Sequence, residues 1–348
     1  MAHVETPAAA PRRRPVVAAL AALVAGLALA ALALGPVELA PSAVLAALAG
    51  GGEPMEAAIV REIRLPRLLL ALAVGVALAL AGAALQGMLR NPLADPGLIG
   101  VTAGGSVGAV SVIVLGDLVL PGLPEDLRPY LLPAAAFAGA GAVIALLFAL
   151  SRRAGETSVA TLILAGVAIQ AIGAAVIGVL VYVSDDDELR ELTFWTMGGL
   201  GAAGWPVVLV TLALTALALP VFLGAARALD LFQLGERAAF HAGLDVERTK
   251  RRMALATALG VGAATAAAGP IGFIGLVAPH LARLTVGPGH RAMLPVAALY
   301  GLALVLAADL GVRLALAPAE PPIGLATSLI GGPFFLWLLL RAKGRIHA

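Results

Sequence analysis

LLLALAVGVALALAGAAL, Leu68 to Leu85, decides the architecture. It is apolar on every face of a helix and long enough to carry the chain across most of a ~30 Å hydrocarbon core. A closed barrel would instead need ~10-residue segments in which apolar and polar residues alternate. A run made of Ala and Leu also favours helix intrinsically. The rest of the chain agrees: 61% of its residues are hydrophobic before Gly is counted, against about 45–50% with Gly included in soluble domains. The sequence therefore specifies an all-α integral membrane protein. It contains no Cys, so neither a disulfide nor a thiolate metal site helps to set the fold.

The first apolar run, Val16 to Leu34, follows Arg12, Arg13 and Arg14. Its Ala-x-Ala triplets resemble a signal-peptide cleavage site, but its apolar length exceeds the usual signal core and such triplets are hard to avoid in a chain this rich in Ala. It reads as an uncleaved first span. Further spans are expected near 66 to 87, 98 to 116, 130 to 150, 157 to 183, 205 to 225, 253 to 269, 274 to 288, 291 to 316 and 323 to 341, ten in all. The expected organisation is an amino-terminal tail over 1–15, a ten-helix domain over 16–341 carrying a polar insert at 228–252, and a carboxy-terminal tail over 342–348. With the amino terminus inside, every Lys and Arg except Arg61, Arg64, Arg67, Arg128, Arg190 and Arg313 falls on the cytoplasmic side. The acidic clusters Asp185 to Glu188 and Glu125 with Asp126 fall on the other. The positive-inside rule then places both termini in the cytoplasm.

Gly100, Gly104 and Gly108 form a GxxxGxxxG face for close helix approach. The same stretch matches GxSxG around Ser106, but it lacks a strand-to-helix elbow and no His has an evident acidic orienter. HExxH is absent, so a zinc peptidase has no support. A lone His280 followed by Arg283 suits packing better than metal or haem ligation, and no metal site is expected.

Three arrangements carry more information. RLPR, Arg64 to Arg67, stands at the mouth of the second span, and Asn91, Pro92, Asp95, Pro96 and Gly97 of NPLADPG break the helix into a tight turn that serves at least as a connector. In GPIGFIGLVAPHLARL, Gly269 to Leu284, recurrent Gly and two Pro interrupt a helix; this either borders a pathway or packs tightly against neighbours. The insert LDLFQLGERAAFHAGLDVERTKRR, Leu229 to Arg252, is polar and charged within a chain that is otherwise membrane. In it Ala238, Ala239 and Gly243 form a small-residue helical patch ending at a Gly stop, a shape suited to a groove on a soluble partner.

RLPRLLLALAVGVALALAGAALQGMLRNPLADPGLIGVTAGGSVGA, FWTMGGL, LGERAAFHAGLDVERTKRR, AGPIGFIGLVAPHLARLTVGPGHRAMLPV and LAADLGVRLALAPAEPPIGLATSLIGGPFFLWLLLR together resemble the FecCD-type permeases of bacterial ABC importers for iron chelates and cobalamin. The resemblance covers nearly everything after residue 60, with several long motifs in the right order. It implies a type II ABC importer permease with ten helices in the bacterial inner membrane. It further implies a homodimer with the pathway on its two-fold axis, two cytosolic ATPase subunits that use ATP-Mg, a substrate-binding protein outside, and contact with lipid but not nucleic acid. Within it the insert corresponds to the coupling element, so Gly235, Glu236, Ala238, Ala239 and Gly243 are expected to meet the ATPase. Arg64, Arg67 and Arg313 correspond to the arginines that dock the binding protein. The fifth span and FWTMGGL, with Phe194, Trp195, Met197 and Gly198, correspond to the pathway wall. The segment Ser184 to Gly199 and the insert look closest to the haem-importing branch, which favours haem over ferric siderophores and cobalamin as cargo, with no permanently bound cofactor.

Independent residues fit that division of labour. Lys250 and Lys343 are the only lysines, and neither lies in a GxxxxGK[ST] loop, so ATP hydrolysis and any enzymatic role are expected from a separate subunit. An ion-coupled secondary transporter would place several ionisable groups at mid-membrane, whereas Asp309 is the only acidic residue clearly inside a span. Arg313, four residues on along the same helical face, either pairs with that acid or docks the binding protein, and the two roles are compatible. An intramembrane hydrolase would need a paired catalytic set that the sequence does not supply.

Overall fold

The computed structural model describes residues 13–346 except 98, 154–155, 202–203, 318 and 320. Most of the expected amino-terminal tail, including Arg12, and residues 347–348 of the carboxy-terminal tail lie outside the described residues. Helix α1 (Arg13–Ala33) is followed by two short helices, α2 (Pro41–Leu48) and α3 (Pro54–Ala58). Each of these opens on Pro, whose missing N–H suits the first helical turn. A π-helical turn, Ile59–Arg64, joins α3 to α4 (Leu65–Leu89), so the second span starts earlier than hydropathy suggests and forms one helical stretch from Pro54. Then come α5 (Val101–Val119), α6 (Arg128–Ser151), α7 (Val159–Val183), α8 (Asp186–Thr196) and α9 (Trp205–Gly224). The insert holds α10 (Ala226–Phe232) and α11 (Glu236–His241), and α12 (Val246–Ala268), α13 (Ile274–Val286), α14 (His290–Ala315) and α15 (Ile323–Ile346) complete the bundle. Among the described residues the only strands form a small antiparallel pair, Arg152–Arg153 with Glu156–Thr157, between α6 and α7.

Among the described residues, seven helical stretches are long and apolar enough to cross a bilayer: those of α1, α4 to α7, α9 and α14. The other three expected spans fall on α12, α13 and α15. Helix α13 has 13 residues, about 20 Å at 1.5 Å per residue, which is shorter than the hydrocarbon core. Helix α12 is long, but most of its buried residues are Gly, Ala and Thr. A helix shielded from lipid by its neighbours does not need a strongly apolar surface, and hydropathy under-reads it for that reason.

Helix α4 is the central mast, packed on α9, α12, α13 and α14. Its small residues permit this. A Cβ at Gly75 would lie 2.7 Å from the Gly301 carbonyl oxygen of α14, and one at Gly82 would lie 1.9 Å from that of Gly275 in α13. The GxxxGxxxG face works in the same way on α6: a Cβ at Gly104 or Gly108 would fall 2.5 Å from the oxygen of Gly139 or 2.1 Å from that of Ala135. Close backbone approach of this kind is how helices associate where lipid removes the hydrophobic drive between them.

Candidate functional site

The insert is built outward from its anchors. Leu229 and Phe232 of α10 are fully buried in the bundle core. Asp230 Oδ1 accepts from the His290 backbone N–H at 3.0 Å and lies 2.6 Å from His290 Nδ1, fixing α10 to the start of α14. Gln233 Nε2 donates to the Gly87 carbonyl at 3.0 Å and so reaches the end of α4. Gly235 takes φ +101°, a conformation that glycine adopts without penalty, and turns the chain into α11. Lys250, whose side chain is buried, donates to Glu236 Oε2 at 2.8 Å and Glu247 Oε1 at 3.4 Å, clamping α11 to α12. Asp245 caps α12 by accepting from the Arg248 N–H at 2.9 Å.

On this frame the expected contact residues separate. Ala238 and Gly243 are exposed and Gly235 is partly so, whereas Glu236 is turned toward Lys250. Ala239 is fully buried, which corrects its expected place on the outer surface: its methyl seats α11 against the bundle. The large apolar side chains that stand outward are Leu234, 71% exposed, and Phe240, 66% exposed. Phe240 borders a hollow of ≈ 870 Å³ together with Arg237, His241, Gly243 and Leu244. Two large apolar side chains on either flank of a polar helix were the signal available in the sequence, and the small-residue pattern drew attention away from them.

Arg67 and Gly87 are twenty positions apart on α4, about 30 Å of helix, and the arginines occupy the end of the bundle away from the insert. All three are buried. Arg64 Nη1 donates to the carbonyls of Leu32 and Ala33 at 2.7 and 2.8 Å, and its Nη2 donates to Val37. Arg313 Nη2 donates to Ala31 and Leu34 at 3.0 and 2.7 Å. Apart from Val37 in the segment that follows, these are the carbonyls at the carboxy-terminal end of α1, which have no partner within their helix, and the helix dipole favours cations there. Arg67 Nε and Nη2 both reach Asp309 Oδ1, at 3.0 and 2.8 Å. The acid that the sequence pairs within its own helix therefore holds an arginine from another.

At that same end FWTMGGL closes a three-way backbone junction. Gly199 N–H donates to Ala268 O at 2.8 Å, and Gly324 N–H donates to Gly198 O at 3.2 Å, tying the end of α8 to the α12–α13 break and to α15. Gly198 has φ +72°, and a Cβ there would lie 2.3 Å from the Pro270 oxygen. Trp195 and Met197 are partly buried at the junction, while Phe194 is 59% exposed. Below the break, Gln86 links α4 to α13 by donating to the Gly275 carbonyl at 3.1 Å and accepting from Arg283. This polar link was not anticipated from the sequence.

The FecCD transport family profile matches residues 22–341. The hemin transport system permease protein HmuU of Yersinia pestis is 48% identical over 282 residues, covering 81% of this chain and 83% of that permease. The cobalamin import system permease protein BtuC of Halobacterium salinarum is 43% identical over 281 residues, covering 81% and 73%. A solved inward-facing conformation of a metal-chelate type ABC transporter superposes with a TM-score of 0.82 at 30% identity, covering 94% of this chain and 99% of that one. The fold is that of a type II ABC importer permease.

Proposed function

The chain belongs to the FecCD transport family, and on that premise we propose that it is the permease subunit that moves haem across the bacterial inner membrane by ATP-driven alternating access. Two copies form the pathway between them, two cytosolic ATPases bind ATP-Mg below, and a substrate-binding protein delivers cargo from outside. Both termini face the cytoplasm, as the distribution of Lys and Arg favours. The chain itself carries out no catalysis.

The observation that carries this reading is the insert. Apolar Leu234 and Phe240 stand in water on an element clamped by Lys250, Asp230 and Gln233 to α12, α14 and α4. A push on α11 is therefore delivered to three membrane helices at once, as coupling to an ATPase requires. Gly235, Ala238 and Gly243 shape the contact, and Glu236 and Ala239 hold it in place. At the other end, Arg64 and Arg313 reach the acidic residues of the binding protein by exchanging the carbonyls of α1 for those carboxylates, and Arg67 fixes the base of that face through Asp309. Phe194, Trp195, Met197 and Gly198 border the pathway at the α12–α13 break. The stronger likeness to a hemin permease than to a cobalamin permease supports haem as cargo.

Uptake into proteoliposomes holding the permease and its ATPase, with binding protein outside, tests the reading with haem, a ferric siderophore and cobalamin in parallel. ATP-dependent uptake of haem alone is expected. Uptake of another compound keeps the transport mechanism and changes the cargo, whereas uptake without the ATPase overturns the mechanism.

A further inference from the structure

Helices α5, α6 and α7 leave a groove that neither coupling nor docking uses; of α7, the span expected to wall the pathway, it takes only the Ile169–Val176 face that Gly173 turns toward α5. Its floor is α5, where Gly104 and Gly108 lie on α6 and Gly173 of α7 lies on Ala103. Beside that floor, between α6 and α7, lies an open, almost wholly apolar space of ≈ 720 Å³, lined by Val107, Val112, Ala138, Ala142, Ile172 and Val176. That volume falls in the about 300–1,000 Å³ range of small-molecule sites. Toward the carboxy-terminal end of α5 the groove shares Val112, Gly116, Leu120 and Leu131 with a polar hollow of ≈ 200 Å³. Asp117, Arg128 and Glu191 stand at that hollow. Arg128 Nη1 lies 3.1 Å from Asp117 Oδ1, and their side chains are 49% and 88% exposed.

An apolar groove at membrane depth that runs into a charged rim matches the two halves of one amphiphile. The rim combines one guanidinium with two carboxylates. A purely anionic headgroup would meet Arg128 but also Asp117 and Glu191, whereas a headgroup with both a phosphate and a primary ammonium satisfies all three. We propose that this groove holds an acyl chain of an aminophospholipid of the ethanolamine class, with its phosphate on Arg128 and its ammonium on Asp117 and Glu191. An exposed ion pair such as Arg128–Asp117 contributes little by itself, so opening it to admit the headgroup costs little. The leaflet follows from the sidedness proposed above; the choice of lipid does not depend on it.

Native mass spectrometry of the purified permease titrated with phosphatidylethanolamine or phosphatidylglycerol tests the site. The unmodified protein is expected to retain the ethanolamine lipid about tenfold more than the glycerol lipid, the ratio of roughly one 1.4 kcal/mol step. Asp117→Asn with Glu191→Gln, both on exposed side chains, should bring that ratio to about one with lipid still bound. Ala138→Phe with Ala142→Phe, at exposed positions that fill the groove, should reduce retention of both lipids at an unchanged melting temperature. Retention of neither lipid, or of both equally, by the unmodified protein overturns the proposal. Because the chain has no Cys, a single Ala138→Cys variant also reports whether protein covers the groove. Cross-linking between two copies at that position in native membranes would give the groove to a second copy and exclude the lipid.

Discussion

At the insert end of the bundle, Lys250 and Glu236 hold α11 so that Leu234 and Phe240 stand out in water. At the other end, Arg64, Arg67 and Arg313 are themselves buried, on the carbonyls of α1 and on Asp309. Both ends look alike in sequence, as charge next to membrane, yet at one end charge supports an apolar contact surface and at the other it closes the ends of helices. Charge in a membrane protein thus marks where backbone and carboxylate groups need partners as often as where a partner protein docks. The solvent-facing apolar side chain is the better pointer to a docking surface.

The largest effect expected from this contrast lies at the arginine end. Arg67→Ala leaves Asp309 buried without its guanidinium and should cost about 3–5 kcal/mol, read as a fall in melting temperature in detergent. Adding Asp309→Ala should recover part of that loss, and strictly additive losses would show that the two do not act as a pair. Next in size is Gly198→Ala, which meets the Pro270 oxygen and a left-handed backbone. A loss of about 1–3 kcal/mol, with impaired uptake, is the outcome to look for; wild-type melting and uptake would remove the junction from the account.

Lys250→Met should cost less, about 1–2 kcal/mol, because Glu236 and Glu247 both reach water. It should also loosen α11, visible as faster amide exchange there, and unchanged exchange would show that the clamp is not needed. Smallest in stability is Phe240→Ala, expected within about 0.5 kcal/mol of the unmodified protein, although its effect on ATP-driven uptake should be large.

Much of the fold was legible in the residues. Apolar runs as plain as Leu68 to Leu85 located membrane-spanning helices, the buried mast α4 among them, and Gly104 and Gly108 marked a real helix contact. What escaped was everything set by neighbours. The spans expected near 253–269 and 274–288 are present as α12 and α13, but their run lengths did not show that α12 hides behind other helices or that the entry to the 13-residue α13 is fixed by Gly269, Pro270 and a left-handed Phe273. The candidate site was legible as a location, not as a surface. Counting small residues singled out Ala239, which the structure buries, so Ala239→Arg is expected to dislodge α11 from the bundle rather than only to block docking. The Arg67–Asp309 pair spans 242 positions, and local helical spacing offered Arg313 as the nearer partner.

The most direct test of the central claim, that ATP-driven motion enters through the insert, is haem uptake by Leu234→Ala/Phe240→Ala permease reconstituted with its ATPase and binding protein, with melting temperature measured on the same preparation. The account predicts near-complete loss of uptake at an unchanged melting temperature. Uptake equal to that of the unmodified permease would contradict it.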